Sequence, residues 1–344
     1  DGGILAMASY PTYDLSTVYS STEAYKAVSD DPRNPFVNRA TSEIYYPGST
    51  FKPLVAIAAL EEGLVTPTEK IQDTGALQLP EEEHYPYGDY HPQCWIYRQY
   101  RGTHGWENMA DALRDSCNIY FYTLGHRLGI DKIDEYAAMF GLGQKTGLEL
   151  SEAEGYVAGP ETSAMLGQEW YGGNLLSAAI GQDNTKITML QLSNYIATLV
   201  NGGNRYQTHL LKTVKSSDFS ETVYEYEAQP VETLDLDPAY VEAVKKGMWE
   251  VANDEESTVD QYLSNLAVEV GAKTGSAQVS ADENANAVFV LFAPYDDPEI
   301  VISMVVEGGA SGANLASAAG EIVNYYFGSE HTMESIGTEN TLIR

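Results

Sequence analysis

Tyr46-Pro47-Gly48-Ser49-Thr50-Phe51-Lys52-Pro53-Leu54-Val55-Ala56-Ile57-Ala58-Ala59-Leu60 runs from a turn into an apolar helix. Gly48 and Ser49 open that helix, Leu54, Ile57, Ala58 and Leu60 continue it, and Gly63 stops it. Pro53 is tolerated because donors in the first turn have no intrahelical partner. Spacing i, i+3 puts Ser49 and Lys52 on one face. A serine hydroxyl becomes a nucleophile once a base removes its proton. A lysine becomes that base when burial or a second cation lowers its pKa. The positive end of the helix favours the negative charge that then develops. Serine and lysine at this spacing recur by chance about once in a chain this long, so the pair alone carries little weight.

Two later segments add to it. Ser116-Cys117-Asn118 falls between two helical stretches. Its hydroxyl suits proton relay and its amide a substrate carbonyl; the same residues equally suit a helix N-cap. Lys273-Thr274-Gly275-Ser276 ends a β-rich run. A lysine and two hydroxyls on a strand edge suit a carboxylate, and Gly275 lets a substrate backbone approach and extend the sheet. Lys145-Thr146-Gly147 repeats three of those residues, but it lies in a turn after Phe140-Gly141-Leu142-Gly143 and is read as structural.

The 344 residues carry 19 basic and 50 acidic side chains, a net charge of −31. Such a surface repels phosphate backbones and anionic lipid heads, which argues against nucleic acid as a partner. With 43% apolar residues the chain can bury a sizeable core, as one large domain or two modest ones. No apolar run reaches the ~18 residues of a membrane span, and no signal-peptide pattern opens the chain. Residues Asp1 to Ala8 read as a hairpin strand lacking its partner, so the chain is expected to be a fragment.

Periodicity places helices over 106–115, 118–128, 131–140, 161–169, 187–200, 238–252 and 312–327. Strands are expected over 3–9, 208–214, 266–272, 286–293 and 300–306, with 11–48 irregular and 73–105 a long surface excursion. The expected fold class is α/β of the α+β type, an antiparallel sheet flanked by helices with an all-helical subdomain. One domain would span 1–344, mainly helical over about 49–205 and sheet-containing over about 1–48 and 206–344.

Together and in this order the three motifs are far more specific than any one. They are the signature shared by class A β-lactamases and penicillin-binding proteins. Gly3 to Pro11, Asn38-Arg39-Ala40, Gly141 to Gly147, Ala179-Ile180-Gly181-Gln182, Phe292-Ala293-Pro294 and Val306-Glu307 stand in the same register. Over nearly its whole length the chain resembles the transpeptidase domain of penicillin-binding proteins. The gap from Ser116 to Lys273 is longer than in the compact lactamases and β-lactam sensors. Cys94-Trp95, His104-Gly105 and Ser116 to Tyr122 are most similar to the monofunctional class B elongation type, penicillin-binding protein 2.

That resemblance implies a D,D-transpeptidase that cross-links peptidoglycan stem peptides and is trapped by β-lactams. Neutral Lys52 would take the proton of Ser49, which attacks the penultimate D-alanine. Backbone N–H groups of Ser49 and Ser276 would form the oxyanion hole, and Ser116 would pass the proton to the departing D-alanine. Lys273, Thr274 and Ser276 would hold the terminal carboxylate, and Asn118 the peptide amide. The same acyl-enzyme serves the alternatives: a D,D-carboxypeptidase, a serine β-lactamase or a non-enzymatic β-lactam sensor. The resemblance further implies an N-terminal anchor, the extracytoplasmic face of the bacterial cytoplasmic membrane, and a SEDS-type glycan polymerase as partner. Ala272 and Asp183 depart from glycines usual in the family.

No cofactor is required for this chemistry. The chain's two cysteines, Cys94 and Cys117, admit a disulfide, two buried thiols or a structural zinc. For zinc, the resemblance carries over Asp73, Cys94, His104 and Cys117 as ligands, with Cys94 where a second carboxylate is usual. His84 and His91 are spare candidates. Tyr85, Tyr87, Tyr90, Trp95, Tyr97 and Tyr100 either grip glycan or pack on the surface.

Overall fold

The structure, a computed structural model, describes residues 1–79, 90–278 and 284–328. Helix Lys52–Glu61 lies at its centre, with every residue from Lys52 to Leu60 buried. A helix apolar all round has no solvent face and must sit inside a core. Helices Asn118–Leu128, Ile130–Met139 and Pro238–Asn253 pack around it. A 3₁₀ turn, Gly48–Phe51, leads into it and carries Ser49.

Beside this helical layer stand three antiparallel strands, in the spatial order Gly271–Ala277, Asn286–Ala293, Ile300–Val306. The period-2 alternation of the central strand serves two cores. Val288, Val290 and Phe292 join the core around the central helix. Ala287, Phe289, Leu291 and Ala293 face a second core with Ala316, Ala319 and Val323 of helix Ala316–Phe327. The architecture is thus the expected α+β arrangement, an antiparallel sheet between helices. Among the described residues no helix is long and apolar enough to cross a membrane.

Several boundaries differ from expectation. No strand forms over 3–9; Gly3 makes a single parallel bridge to His209. The strand expected at 266–272 runs instead from Gly271 to Ala277, because its partner strand covers those residues. The apolar side chains before it, Leu266 and Val268, pack on the second core. Of 208–214 only Thr213–Lys215 is a strand, paired with Thr222–Glu225. The described residues of the 73–105 excursion hold regular structure: Ile71–Asp73 pairs with Gly105–Glu107, and Trp95–Tyr100 is a helix. That pairing delays the next helix to Met109–Arg114, which Asn108 and Asp111 open with a capping box. Residues 11–48 are not wholly irregular, for Thr22–Ser29 is helical.

The helical layer and the sheet meet at Gly275. A Cβ there would stand 2.7 Å from the Pro47 carbonyl oxygen and 3.2 Å from Thr50 Cγ2. The space this glycine leaves is therefore filled by the chain's own turn, not by a substrate backbone. Gly275→Ala should push strand and turn apart and lower stability by about 1–3 kcal/mol. Denaturant midpoints check this; an unchanged midpoint would mean the strand is not seated on the turn.

Candidate active site

Ser49 sits half-buried in the 3₁₀ turn, and its carbonyl accepts the Lys52 N–H. The turn is braced from behind. The Gly48 N–H donates to the Gly181 carbonyl at 2.9 Å. Gly181 has φ +70°, and a Cβ on it would stand 2.2 Å from the Gly48 oxygen. Only glycine accommodates that approach. On the other side, a Cβ on Gly48 would stand 3.3 Å from the Ser276 carbonyl oxygen. The nucleophile turn is thus held between the Ala179–Gln182 segment and the Lys273 strand.

Lys52 is fully buried, and its ammonium donates to the Ser116 carbonyl (2.8 Å), Ser116 Oγ (3.1 Å) and Asn118 Oδ1 (2.7 Å). Three donors meet three acceptors, all on the second motif, over the face of Phe121 at 5.3 Å. Burial nevertheless lowers its pKa to about 8. Asn118 spends its carbonyl on this contact, which leaves its NH₂ to donate elsewhere.

Ser116 is not the N-cap that its neighbourhood suggests; Cys117 occupies that position. Ser116 instead ends helix Met109–Arg114 with φ +54°. The Cys117 N–H reaches back to the Ala112 carbonyl at 3.0 Å, the long bond of a Schellman termination. Glycine usually takes that left-handed position, so a serine there stores backbone strain. The turn directs both the carbonyl and the hydroxyl of Ser116 at Lys52.

Lys273 is also fully buried, with Nζ donating to the Thr274 carbonyl at 3.3 Å. Burial, then the nearby Lys52, pushes its pKa well down, against the opposing pull of Asp115. The pleat puts Lys273 and Gly275 on the face toward the turn. Thr274, half-buried, and Ser276, exposed, take the alternate positions, so their route to a ligand is over the strand's edge. The structure therefore brings Ser49, Lys52, Ser116, Asn118 and Lys273 to one junction.

Lys145-Thr146-Gly147 lies elsewhere, in a loop organised by Glu152. That carboxylate accepts the N–H groups of Thr146, Gly147 and Leu148. Two further segments noted in the sequence find their use in packing. Tyr45 Oη donates to Glu307 at 2.8 Å, and Arg39 Nε does so at 3.1 Å, tying the Asn38-Arg39-Ala40 stretch to the end of the third strand.

Asp73, Cys94, His104 and Cys117 converge beside the second motif, each ligand atom within 4.8 Å of the others. His104 Nδ1 faces Asp73 Oδ2 at 2.8 Å and Cys94 Sγ at 3.5 Å, and Cys117 Sγ lies 3.6 Å from the same carboxylate. Both cysteines are free and buried, so they are not a disulfide. Donation from Cys117 pulls Cys94 toward the thiolate, whereas burial and then Cys94 keep Cys117 a thiol. Burial works against ionised Asp73, yet bonds from His104 and Gly75 hold it down at about 2. The Asn118 N–H donates to Cys94 Sγ at 3.3 Å, which links this cluster to the active-site motif.

His91 stands apart, bonded to the Leu77 carbonyl. Trp95 donates from Nε1 to the Asp115 carbonyl at 3.0 Å, and Tyr97 packs over Gly75. Tyr90 and Tyr100 are exposed. His84, Tyr85 and Tyr87 lie outside the described residues.

Comparison with known proteins agrees with this geometry. Residues 1–327 match the family model of the penicillin binding protein transpeptidase domain. The chain is 31% identical over 343 residues to the peptidoglycan D,D-transpeptidase MrdA of Escherichia coli strain K12, with 94% of this chain and 52% of that protein covered. It thus spans about half the length of this curated relative. Among solved structures it is similar to Pseudomonas aeruginosa PBP2 in complex with WCK 5153, at 33% identity and a TM-score of 0.83 over 95% of this chain and 72% of that one. It is also similar to penicillin-binding protein A from M. tuberculosis as a ceftriaxone acyl-enzyme complex, at 27% identity and a TM-score of 0.78 over 94% and 71%. With its three motifs gathered at one junction and the match running from residue 1 to residue 327, the chain belongs to the penicillin-binding protein transpeptidase domain family.

Proposed function

We propose that this domain is a serine D,D-transpeptidase that cross-links peptidoglycan stem peptides through an acyl-enzyme on Ser49 and is inhibited by β-lactams. The observation that carries this reading is the buried Lys52 ammonium, one helical turn from Ser49 and bonded only to Ser116 and Asn118 among the described residues.

The chemistry follows from that arrangement. Neutral Lys52 has two N–H donors and a lone pair, so one of its three bonds must reverse or be released. Ser116 Oγ, an acceptor from the ammonium, can donate to the neutral amine. A proton leaving Ser49 then has a path to Lys52 and, through Ser116, onward to the departing D-alanine. The Ser49 and Ser276 N–H groups are assigned to the developing oxyanion, where one such donor is typically worth about 3 kcal/mol. Lys273 is assigned to the terminal carboxylate, whose negative charge would oppose the burial and the Lys52 charge that depress its pKa and so favour the ammonium, with Thr274 and Ser276 as hydroxyl partners, and the Asn118 NH₂ holds the stem-peptide amide. An amine from a second stem takes the acyl group.

The same reading assigns the domain to the extracytoplasmic face of the bacterial membrane, beside a SEDS-type polymerase. It divides the chain into a mainly helical part over about 49–205 and a sheet-containing remainder. It also assigns Zn²⁺ to Asp73, Cys94, His104 and Cys117. Two sulfurs, one imidazole and one carboxylate are a suitable tetrahedral donor set. The ion's contribution would be structural. It would pin Cys117, between Ser116 and Asn118, to the Cys94 and His104 segments.

Three measurements test these assignments. Intact mass after brief exposure to a penicillin should show one stable adduct, absent in Ser49→Ala; turnover within seconds would favour the lactamase alternative instead. The acylation rate should rise about tenfold per pH unit below pH 8 and level off above it, because only the neutral form of Lys52 accepts a proton. A rate that falls as pH rises through that range would remove Lys52 as the base. Protein purified without chelator should hold about one equivalent of zinc, falling below about a tenth in Cys117→Ser together with a lower thermal midpoint. Wild-type protein free of zinc would remove the metal assignment.

A further inference from the structure

The residue just before the second motif's strained turn is tied into a network that reaches the third motif. Arg114 grips its neighbour Asp115 with both arms of the guanidinium, Nε to Oδ1 at 2.8 Å and Nη2 to Oδ2 at 3.0 Å. Its remaining donors point the other way. Nη1 reaches Asp254 Oδ2 at 3.4 Å and Nη2 reaches Glu256 Oε2 at 3.1 Å. Asp254 is the C-cap of helix Pro238–Asn253. That helix packs on the Lys273 strand, and Asn253 Nδ2 donates to the Val270 carbonyl at 3.0 Å, at the strand's start.

The same helix is pressed against the helix that ends at Arg114. A Cβ on Gly247 would stand 2.8 Å from Leu113 Cβ and 3.2 Å from Ala110 Cα. Asp115 itself is held on two further sides. Its carbonyl accepts from Trp95, and its carboxylate faces the buried Glu107. Immediately after it comes Ser116, a non-glycine residue at φ +54° that supplies two of the three Lys52 contacts. A strained residue persists only where its surroundings over-determine it.

We propose that Arg114 is a positioning residue for acyl transfer: it clamps the Ser116–Asn118 segment, through Asp115, to the end of helix Pro238–Asn253 on which the Lys273 strand is seated. Lysine is a poor substitute. The contact needs a planar fork on one carboxylate with donors left over for two more. Removing the guanidinium frees Asp115, relaxes the left-handed turn and displaces the Ser116 oxygens from Lys52. A displacement of an ångström at a reacting group is enough to slow the chemical step strongly.

The inference rests on the acyl-enzyme reading above, and the test separates the two. The wild type is first shown to form the Ser49 adduct; if it does not, the functional reading fails before any variant is compared. Stopped-flow acylation by a chromogenic cephalosporin then resolves the limiting acylation rate from the apparent dissociation constant, and the burst amplitude counts competent sites. Arg114→Gln should lower the limiting rate about 10- to 100-fold with the dissociation constant and the amplitude nearly unchanged. Arg114→Lys should recover only part of the rate. Asp254→Asn with Glu256→Gln removes the outer anchors but leaves the Arg114–Asp115 fork, keeps the test alive if Arg114→Gln does not fold, and should lower the rate by a smaller factor. The proposal is overturned by wild-type rates in Arg114→Gln, or in the double variant if that is the only one to fold. It is also overturned by full rescue with lysine, or by a loss confined to amplitude, which marks a folding defect alone.

Discussion

A buried ammonium with three protein acceptors is the constraint on which the site depends. Taking the Lys52 charge out of water is expensive, and the expense is offset only because Ser116 and Asn118 present three oxygens at bonding distance. That requirement reaches outward. Two of the oxygens belong to Ser116, so the residue must adopt a left-handed backbone to present both. The helix before it must therefore end where it does, and the helix after it must begin at Asn118. Without these neighbours Lys52 would be an unpaired charge at the start of the most deeply buried helix in the described chain.

Burial also makes the lysine useful. The pKa is poised near 8 by two opposing tendencies: burial favours the neutral amine, while the negative character of Cys94, Cys117 and Glu107 nearby favours the charged form. Lys273 sits close by with no comparable set of acceptors among the described residues and is pushed further toward neutrality, with Asp115 pulling the other way. One amine is set near the operating pH, and the other is the one the proposal gives to an anion. The proposed mechanism asks for that division between base and carboxylate anchor.

Much of this was legible in the chain. The Ser49-Thr50-Phe51-Lys52 spacing, the wholly apolar helix after it and the strands at 286–293 and 300–306 follow from local pattern, because the helix and the central strand are almost wholly buried and the 300–306 strand is an apolar, mostly β-branched run beside them, broken only by Ser303. The convergence of Asp73, Cys94, His104 and Cys117 was accessible only through resemblance, since no generic spacing rule joins residues brought together by a short strand pair and two helix starts. The Gly271–Ala277 strand lies off the expected 266–272 because Lys273-Thr274-Gly275-Ser276 has little intrinsic preference for a strand. Its conformation is imposed by pairing with Asn286–Ala293 and by contact with Pro47. The purpose of Gly275 was misjudged for the same reason: what a missing Cβ makes room for depends on a residue more than two hundred positions away.

The second motif is where influences from opposite sides of the molecule meet. From one side the cysteine–histidine–aspartate cluster reaches it through Cys117 and through the Asn118 N–H on Cys94. From the other side Arg114 reaches it through Asp115, anchored on the acidic end of helix Pro238–Asn253. Among the described residues neither set is hydrogen-bonded to Lys52, yet both act on the residues that are. A three-residue segment that must supply three oxygens to one nitrogen tolerates little rotation about its axis, and a single tether would leave that rotation free. Tethers on both flanks remove it. That is the physical reason for a serine, held in a conformation glycine prefers, to stand between a buried cysteine and a clamped aspartate.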